Sequence, residues 1–203
     1  MDGGYDSGYE ACPCFWGRDP GSLVKKLVER GSMRGLEVLD AGCGEGKNAA
    51  FLARHGARVR AVEVSQRALD NARAAWSDAG EIRWELGDAR TIALTPDTYD
   101  IVIGYGLLHC LGSIEEIVTV INRLQAATKS GGVNVICAFN GRRQDLAEAH
   151  PGFHPCTPAH HVYVDTYSGW EMLEVSDTDL VETHPHNDVR HTHSMTRLIA
   201  RKR

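Results

Sequence analysis

The chain has 203 residues, 42% of them hydrophobic and 24% charged, which is enough for one sizeable core, so a single domain over residues 1–203 is expected. Its formal charge of −5 argues against nucleic-acid binding as the main task, because that work needs a clustered positive field. No apolar run approaches the roughly 20 residues of a membrane span, and Met1-Asp2-Gly3-Gly4-Tyr5 has neither the basic region nor the apolar segment of a secretion signal, so a cytoplasmic protein without membrane or nucleic-acid partners is expected.

Residues 1–18 are Gly-rich and carry Tyr5, Tyr9, Phe15 and Trp16. Disordered leaders are poor in aromatics, so this one is expected to pack on the body of the protein. Asp19-Pro20 reads as an N-cap followed by proline at the first helical position, opening a helix with Leu23, Val24, Leu27 and Val28 that ends at Gly31. Leu36 to Asp40 is a short, continuously apolar strand, as expected where both faces of a sheet are covered. Ala41-Gly42-Cys43-Gly44-Glu45-Gly46 follows, with glycines at alternate positions, and then a helix through Ala49 to Ala53 that Gly56 stops. Without a Cβ, such a turn lets a ligand come close to backbone N–H groups, which points to a nucleotide or nucleoside cradle at the carboxyl end of the first strand.

Arg58 to Val64 reads as a second strand, and Ser65 as the cap of a helix reaching about Ser77. Alternation at Ile82, Trp84 and Leu86 marks a third strand closing on Gly87-Asp88-Ala89, and Tyr99 to Gly104 a fourth. Ser113-Ile114-Glu115-Glu116 is a capping box ahead of a helix with Ile117, Val118, Ile121 and Leu124 inward. Gly131-Gly132 turns the chain into a fifth strand, Val133 to Phe139. Between 140 and 166 the periodicity fails and Pro, His and Gly cluster, which predicts a long loop of the functional kind. Trp170 to Val175 and Ser194 to Ala200 read as two last strands with 176–193 between them, so residues 140–193 supply substrate-side loops. Strands alternating with helices predict an α/β, Rossmann-like, doubly wound and mostly parallel sheet of seven strands.

Polar residues fall where successive strands finish. Asp40 closes the first, Glu63 with Val64 the second, and Asp88 with Ala89 the third. Glu63 is placed to accept from the ribose hydroxyls of an adenosine, and Asp88 to meet the adenine amino group. Beyond the fourth strand a dinucleotide would need a further phosphate site, and the sequence offers Tyr105, Leu108 and His109 instead.

Val38-Leu39-Asp40-Ala41-Gly42-Cys43-Gly44-Glu45-Gly46, Glu63, Gly87-Asp88-Ala89 and Tyr99-Asp100-Ile101-Val102 together resemble the class I S-adenosylmethionine (SAM) methyltransferases in order and spacing. Within them the chain looks most like the tellurite-resistance (TehB-like) methyltransferases, through Tyr5-Asp6 with Tyr9, Gly44-Glu45-Gly46-Lys47-Asn48, Gly131 to Ile136, Gly169 to Met172, Glu182-Thr183-His184, Arg190 and Leu198 to Lys202. The resemblance implies SAM as cofactor and S-adenosylhomocysteine as product, with Gly42 and Gly44 near the amino-acid end and ribose of SAM. It also implies Tyr5, Tyr9 and Trp16 as a lid over SAM, Tyr105 in its pocket, and an antiparallel last strand. His184 and Arg190 fall where that family handles an oxyanion near the sulfonium, and His109 or His184 could take a proton from a neutral acceptor. The sequence departs from the pattern at Pro185, where a second arginine is usual, and in the longer 140–166 loop. The expected acceptor is a small molecule, either a tellurite-like chalcogen oxyanion or an amine or hydroxyl of a natural product or peptide. A metal-binding or regulatory module on the same fold is the non-enzymatic alternative.

Six cysteines at irregular spacings suggest reduced thiols. Among ten histidines, the pairs His184-Pro185-His186 and His191-Thr192-His193 would each point two imidazoles the same way from an extended chain. With no Cys-x-x-Cys or His-x-x-x-His pair beside them, a polar lining of the acceptor pocket is the preferred reading, and no metal is expected.

Overall fold

The computed structural model of the chain describes residues 5–147, 149, 152–184 and 187–203, and of residues 184, 187 and 188 the backbone alone. An interior strand of its sheet is β1 (Glu37–Ala41), whose Val38 and Leu39 are fully buried on opposite faces. A strand buried on both faces has no polar side, which is why it reads as an uninterrupted apolar run. β2 (Arg58–Glu63) and β4 (Tyr99–Tyr105) flank it in parallel, β3 (Ile82–Leu86) lies beyond β2, and β5 (Thr128–Gln144) beyond β4. β7 (Asn187–Arg201) inserts antiparallel between β5 and β6 (Glu171–His184), giving the seven-stranded order β3-β2-β1-β4-β5-β7-β6. The antiparallel last strand is therefore an interior one, and β6 forms the edge.

Helices cover both faces. α2 (Ser22–Arg30) and α3 (Lys47–Arg54) bury Leu23, Val24, Leu27, Ala49 and Leu52 against Val38, Val59, Ile101 and Ile199. α5 (Ile114–Ala127) and the short α6 (His160–Asp165) bury Ile117, Ile121, Leu124 and Tyr163 against Leu39, Val102, Ile136 and Leu198. α4 (Gln66–Ala75) is capped as its sequence implies, with the Ser65 hydroxyl accepting from Ala68 N–H at 3.0 Å. Ser113 caps α5 through Glu116 N–H at 3.2 Å, but the Glu116 carboxylate reaches back to Gly112 N–H rather than to the cap residue itself.

Among the described residues the leader packs on the body of the protein, as expected, and contains a short helix, α1 (Asp6–Ala11). Two expectations are corrected. α2 begins at Ser22 with Gly21 as its N-cap rather than at Asp19-Pro20, since Gly21 N–H is held by Asn48 Oδ1 at 2.8 Å. Residues 140–144, 176–184 and 187–193 are strand rather than loop, since β5 continues to Gln144 and β6 and β7 pair antiparallel through most of the segment read as a connection, and α6 occupies part of the expected 140–166 loop. These strands are joined by polar pairs such as Arg142 with Asp177 and Asp179, and Ser194 with Asp179.

Candidate active site

The carboxyl ends of β1, β2, β3 and β4 open onto a cavity of about 740 Å³, and the β6–β7 hairpin and the leader close its other sides. Between β1 and α3 the chain makes the glycine turn. Gly42 has φ +69°, and a Cβ there would stand 2.8 Å from Leu107; Gly46 has φ +78°, and its Cβ would meet the Trp84 ring at 2.3 Å. Both positions demand glycine for conformation and for space. The turn is tied to β2 by Gly42 and Cys43 N–H groups, which donate to Val62 O at 2.9 and 3.0 Å.

Glu63 lies at the junction. Its Oε2 accepts from Gly44 N–H at 2.9 Å and its Oε1 from Val64 and Ser65 N–H at 2.8 and 3.0 Å. A carboxylate offers about four lone-pair sites, so three fixed donors hold it in one orientation and leave capacity for a ligand hydroxyl. Asp88 is held by Arg90, whose guanidinium approaches to 2.6 Å and pulls the carboxyl below the usual aspartate range. Asp40 does not reach the cavity. It is buried beneath the glycine turn, and burial first, with the Glu63 charge adding to it, pushes its carboxyl up to about 7.

Of the residues expected at the cofactor, Tyr5, Tyr9, Trp16, Gly42, Gly44, Glu63, Val64, Asp88, Ala89 and Tyr105 line the cavity. The leader is docked by side chains that the sequence reading passed over. Glu45, 7% exposed, accepts Cys14 and Phe15 N–H at 2.7 and 2.6 Å and the Asn71 amide at 2.9 Å. Asn71 also donates to Tyr9 O, Lys47 Nζ donates to Trp16 O at 2.6 Å, and Ser65 hydrogen-bonds to Asp6. Tyr5 then packs edge-on to Trp16, with centroids 5.1 Å apart, and against Phe153 at 5.2 Å, so the 145–159 loop meets the leader over the cavity. Glu45 sits inside the glycine motif, and an acid there, followed by a helix, was the available signal.

His109, on a single 3-10 turn (Leu108–Cys110), lines the cavity and stacks on Phe139 at 3.9 Å. Its Nδ1 accepts Phe139 N–H at 3.2 Å, so the neutral ring carries its proton on Nε2 and has no vacant nitrogen with which to act as a base. That corrects the proton-acceptor role. Arg190 is exposed on β7 and does not line the cavity. His184 ends β6 with its side chain outside the described residues, and Pro185 and His186 lie outside them altogether. The β5–β7 side of the cavity is lined instead by Cys137, Phe139, Leu180, Glu182, Thr183 and Met195. Burial raises the Cys137 thiol and pushes that of Cys110 up to about 12, so both stay protonated at neutral pH. All six cysteines are free, as their spacing suggests. Among the described residues no helix is long and apolar enough to cross a membrane.

Residues 38–132 match the family described as a methyltransferase domain. An uncharacterized methyltransferase of Mycobacterium tuberculosis is 35% identical over 102 residues, covering 50% of each chain. The chain thus spans about half the length of the curated relatives it first matches. The ubiquinone biosynthesis O-methyltransferase of Leptothrix cholodnii is 28% identical, over 81% of this chain and 69% of its own. Among solved structures, one described as the conversion of a disulfide bond into a thioacetal group during echinomycin biosynthesis superposes with a TM-score of 0.75 at 25% identity, covering 100% of this chain and 93% of that one. TehB from Haemophilus influenzae superposes at 0.74 with 21% identity, covering 90% of this chain and 62% of that one.

Proposed function

We propose that this chain, a class I SAM-dependent methyltransferase, transfers the methyl group of SAM to a small organic acceptor carrying a neutral hydroxyl, amine or thiol. Glu63 takes the ribose hydroxyls, the Gly42–Gly46 turn receives the amino-acid end, Asp88 faces the adenine amino group, and the leader closes over the cofactor. The sulfonium points toward the β5–β7 side, where the acceptor attacks the methyl carbon in line, the S–C bond breaks, S-adenosylhomocysteine is left behind, and the acceptor's proton is released to solvent. Such a displacement disperses positive charge, so alignment and exclusion of water are the protein's main contributions. Stacked on Phe139, His109 is a positioning donor through Nε2–H.

The observation that carries the acceptor class is the lining supplied by β5, β6 and β7. Among the described residues it holds one thiol (Cys137), the apolar and aromatic side chains of Phe139, Leu180 and Met195, the hydroxyl of Thr183, one carboxylate (Glu182), and neither lysine nor arginine. The Glu182 carboxylate repels an oxyanion and Arg190 is turned to solvent, while the nearby Lys47 and Arg197 cations act on Glu182 itself. Two of the proteins cited are described by ubiquinone biosynthesis O-methylation and by conversion of a disulfide bond into a thioacetal group during echinomycin biosynthesis, and these descriptions favour an organic acceptor.

The test is the product mass after incubation with methyl-labelled SAM and two acceptor panels, one of phenols, amines, thiols and disulfide-bearing peptides, the other of tellurite, selenite and arsenite. Label on an organic acceptor is expected. Label only on an oxyanion, together with growth protection on tellurite, would overturn the acceptor class, and absence of SAM binding would overturn the whole assignment.

A further inference from the structure

We propose that Glu182, His191 and His193 form a binding site for one divalent first-row transition metal ion at the acceptor wall of the cavity. The three side chains are brought together by the hairpin's register. Glu182 on β6 pairs directly with His191 on β7, and His193 lies two residues further along β7, so all three share one face of the sheet. One donor atom from each lies within 4.8 Å of the others, with His193 Nε2 3.8 Å from Glu182 Oε1. Glu182 itself lines the cavity.

The tautomers are set by neighbours of the kind that orient metal-ligating histidines. His191 Nδ1 is 2.7 Å from Val189 O, so it is the protonated nitrogen. His193 Nδ1 is 2.8 Å from Gln144 Oε1. Gln144 spends its amide N–H groups on Asn140 O and Ser194 O, at 2.8 and 2.9 Å, which fixes its oxygen toward the imidazole and makes His193 Nδ1 a donor as well. Both rings therefore direct an Nε2 lone pair toward the carboxylate. Phe139, stacked on His193 at 4.2 Å, holds that ring in plane.

A His193–Glu182 ion pair, with Lys47 nearby as counter-charge, would explain two of the three groups. It leaves unexplained why His191 is locked with the same nitrogen facing the same point. Two imidazoles and a carboxylate suit zinc, cobalt, nickel or iron(II), and such a set leaves coordination positions open to a further ligand. Donors about 2.1 Å from an ion stand roughly 3.4 Å apart in tetrahedral geometry, so uptake needs a contraction of about 1 Å. The position of the ion beside the acceptor rests on the function proposed above; the binding itself does not.

Zinc titration of the chelator-stripped full chain by calorimetry, and cobalt(II) titration read by visible absorption, test the site. One equivalent of zinc should bind, cobalt should develop d–d bands, and Glu182→Gln and His191→Ala should each weaken zinc at least about 10-fold. The exposed His154→Ala and His161→Ala variants should stay within twofold of the parent. No stoichiometric zinc and no cobalt bands in the unaltered chain would overturn the proposal, a result that needs no variant to fold. Zinc uptake unchanged by Glu182→Gln and His191→Ala, or lost equally in the control variants, would also overturn it. Parallel titration with SAM separates the two assignments: binding of SAM without zinc removes only the metal site, and binding of zinc without SAM removes only the methyltransferase reading.

Discussion

Replacing Glu45 by alanine should unlatch the leader without unfolding the domain. The carboxylate accepts two leader N–H groups, from Cys14 and Phe15, and the amide of Asn71, which itself holds Tyr9 O. Hydrogen bonds to a charged group contribute about 1.5–3 kcal/mol each when the alternative is a buried, unsatisfied partner. Here the alternative is an opened leader whose N–H groups meet water, so the loss falls on the closed state and is smaller than the sum, about 2–4 kcal/mol. At 1.4 kcal/mol per factor of ten, the closed-to-open ratio falls by roughly 30- to 700-fold.

If the closed leader is the form that holds SAM, the apparent affinity scales with its population. The leader supplies only Tyr5, Tyr9 and Trp16 to a larger pocket, so the full ratio is a ceiling, and a weakening of about 10- to 100-fold is expected. Calorimetry with SAM measures it, and limited proteolysis should show new cleavage between residues 5 and 20. Trp76 is bonded to the Glu45 backbone carbonyl, not its side chain, so α4 keeps that anchor and the midpoint of thermal unfolding should move little. SAM affinity within twofold of the parent, with an intact leader under protease, would refute the latch.

Two further outcomes follow from the same geometry. Glu63→Gln puts an NH₂ group against at least one of three backbone donors, Gly44, Val64 or Ser65, and should weaken SAM by about 30-fold or more, near 2 kcal/mol, in the same calorimetric assay. Asp40, with its folded carboxyl raised to about 7 from 3.8, contributes stability that is complete below the unfolded value and is lost as pH rises toward and through 7. Asp40→Asn, which keeps an acceptor for the Ala49 N–H, should therefore remove this loss, on the order of 2–4 kcal/mol. Thermal melts from pH 5 to 8 should show a smaller decline for the variant, and parallel declines would count against a buried, protonatable Asp40.

The strand ends that line the cavity are legible in the sequence because of how a parallel sheet is wound. Each is also a local turn, so Glu63 and Asp88 are announced by the apolar runs that precede them and the glycines or caps that follow, whereas Asp40, announced in the same way, ends buried away from the cavity. Strand positions β1 to β5 agree with their apolar periods because helices cover both faces, and burial writes itself into residue type. The β5–β7 side has a weaker signature. His191-Thr192-His193 is visible as a pair facing one way, but Glu182 and Gln144 join it only through an antiparallel register whose outer rungs are Asp, Thr, Ser and Arg pairs, which carry no hydrophobic period. A one-residue slip in that register would turn Glu182 or the two histidines to the opposite face. The Ser194–Asp179 and Arg197–Thr178 hydrogen bonds between β7 and β6 therefore do more than decorate an edge: they favour the register that puts Glu182, His191 and His193 on one face.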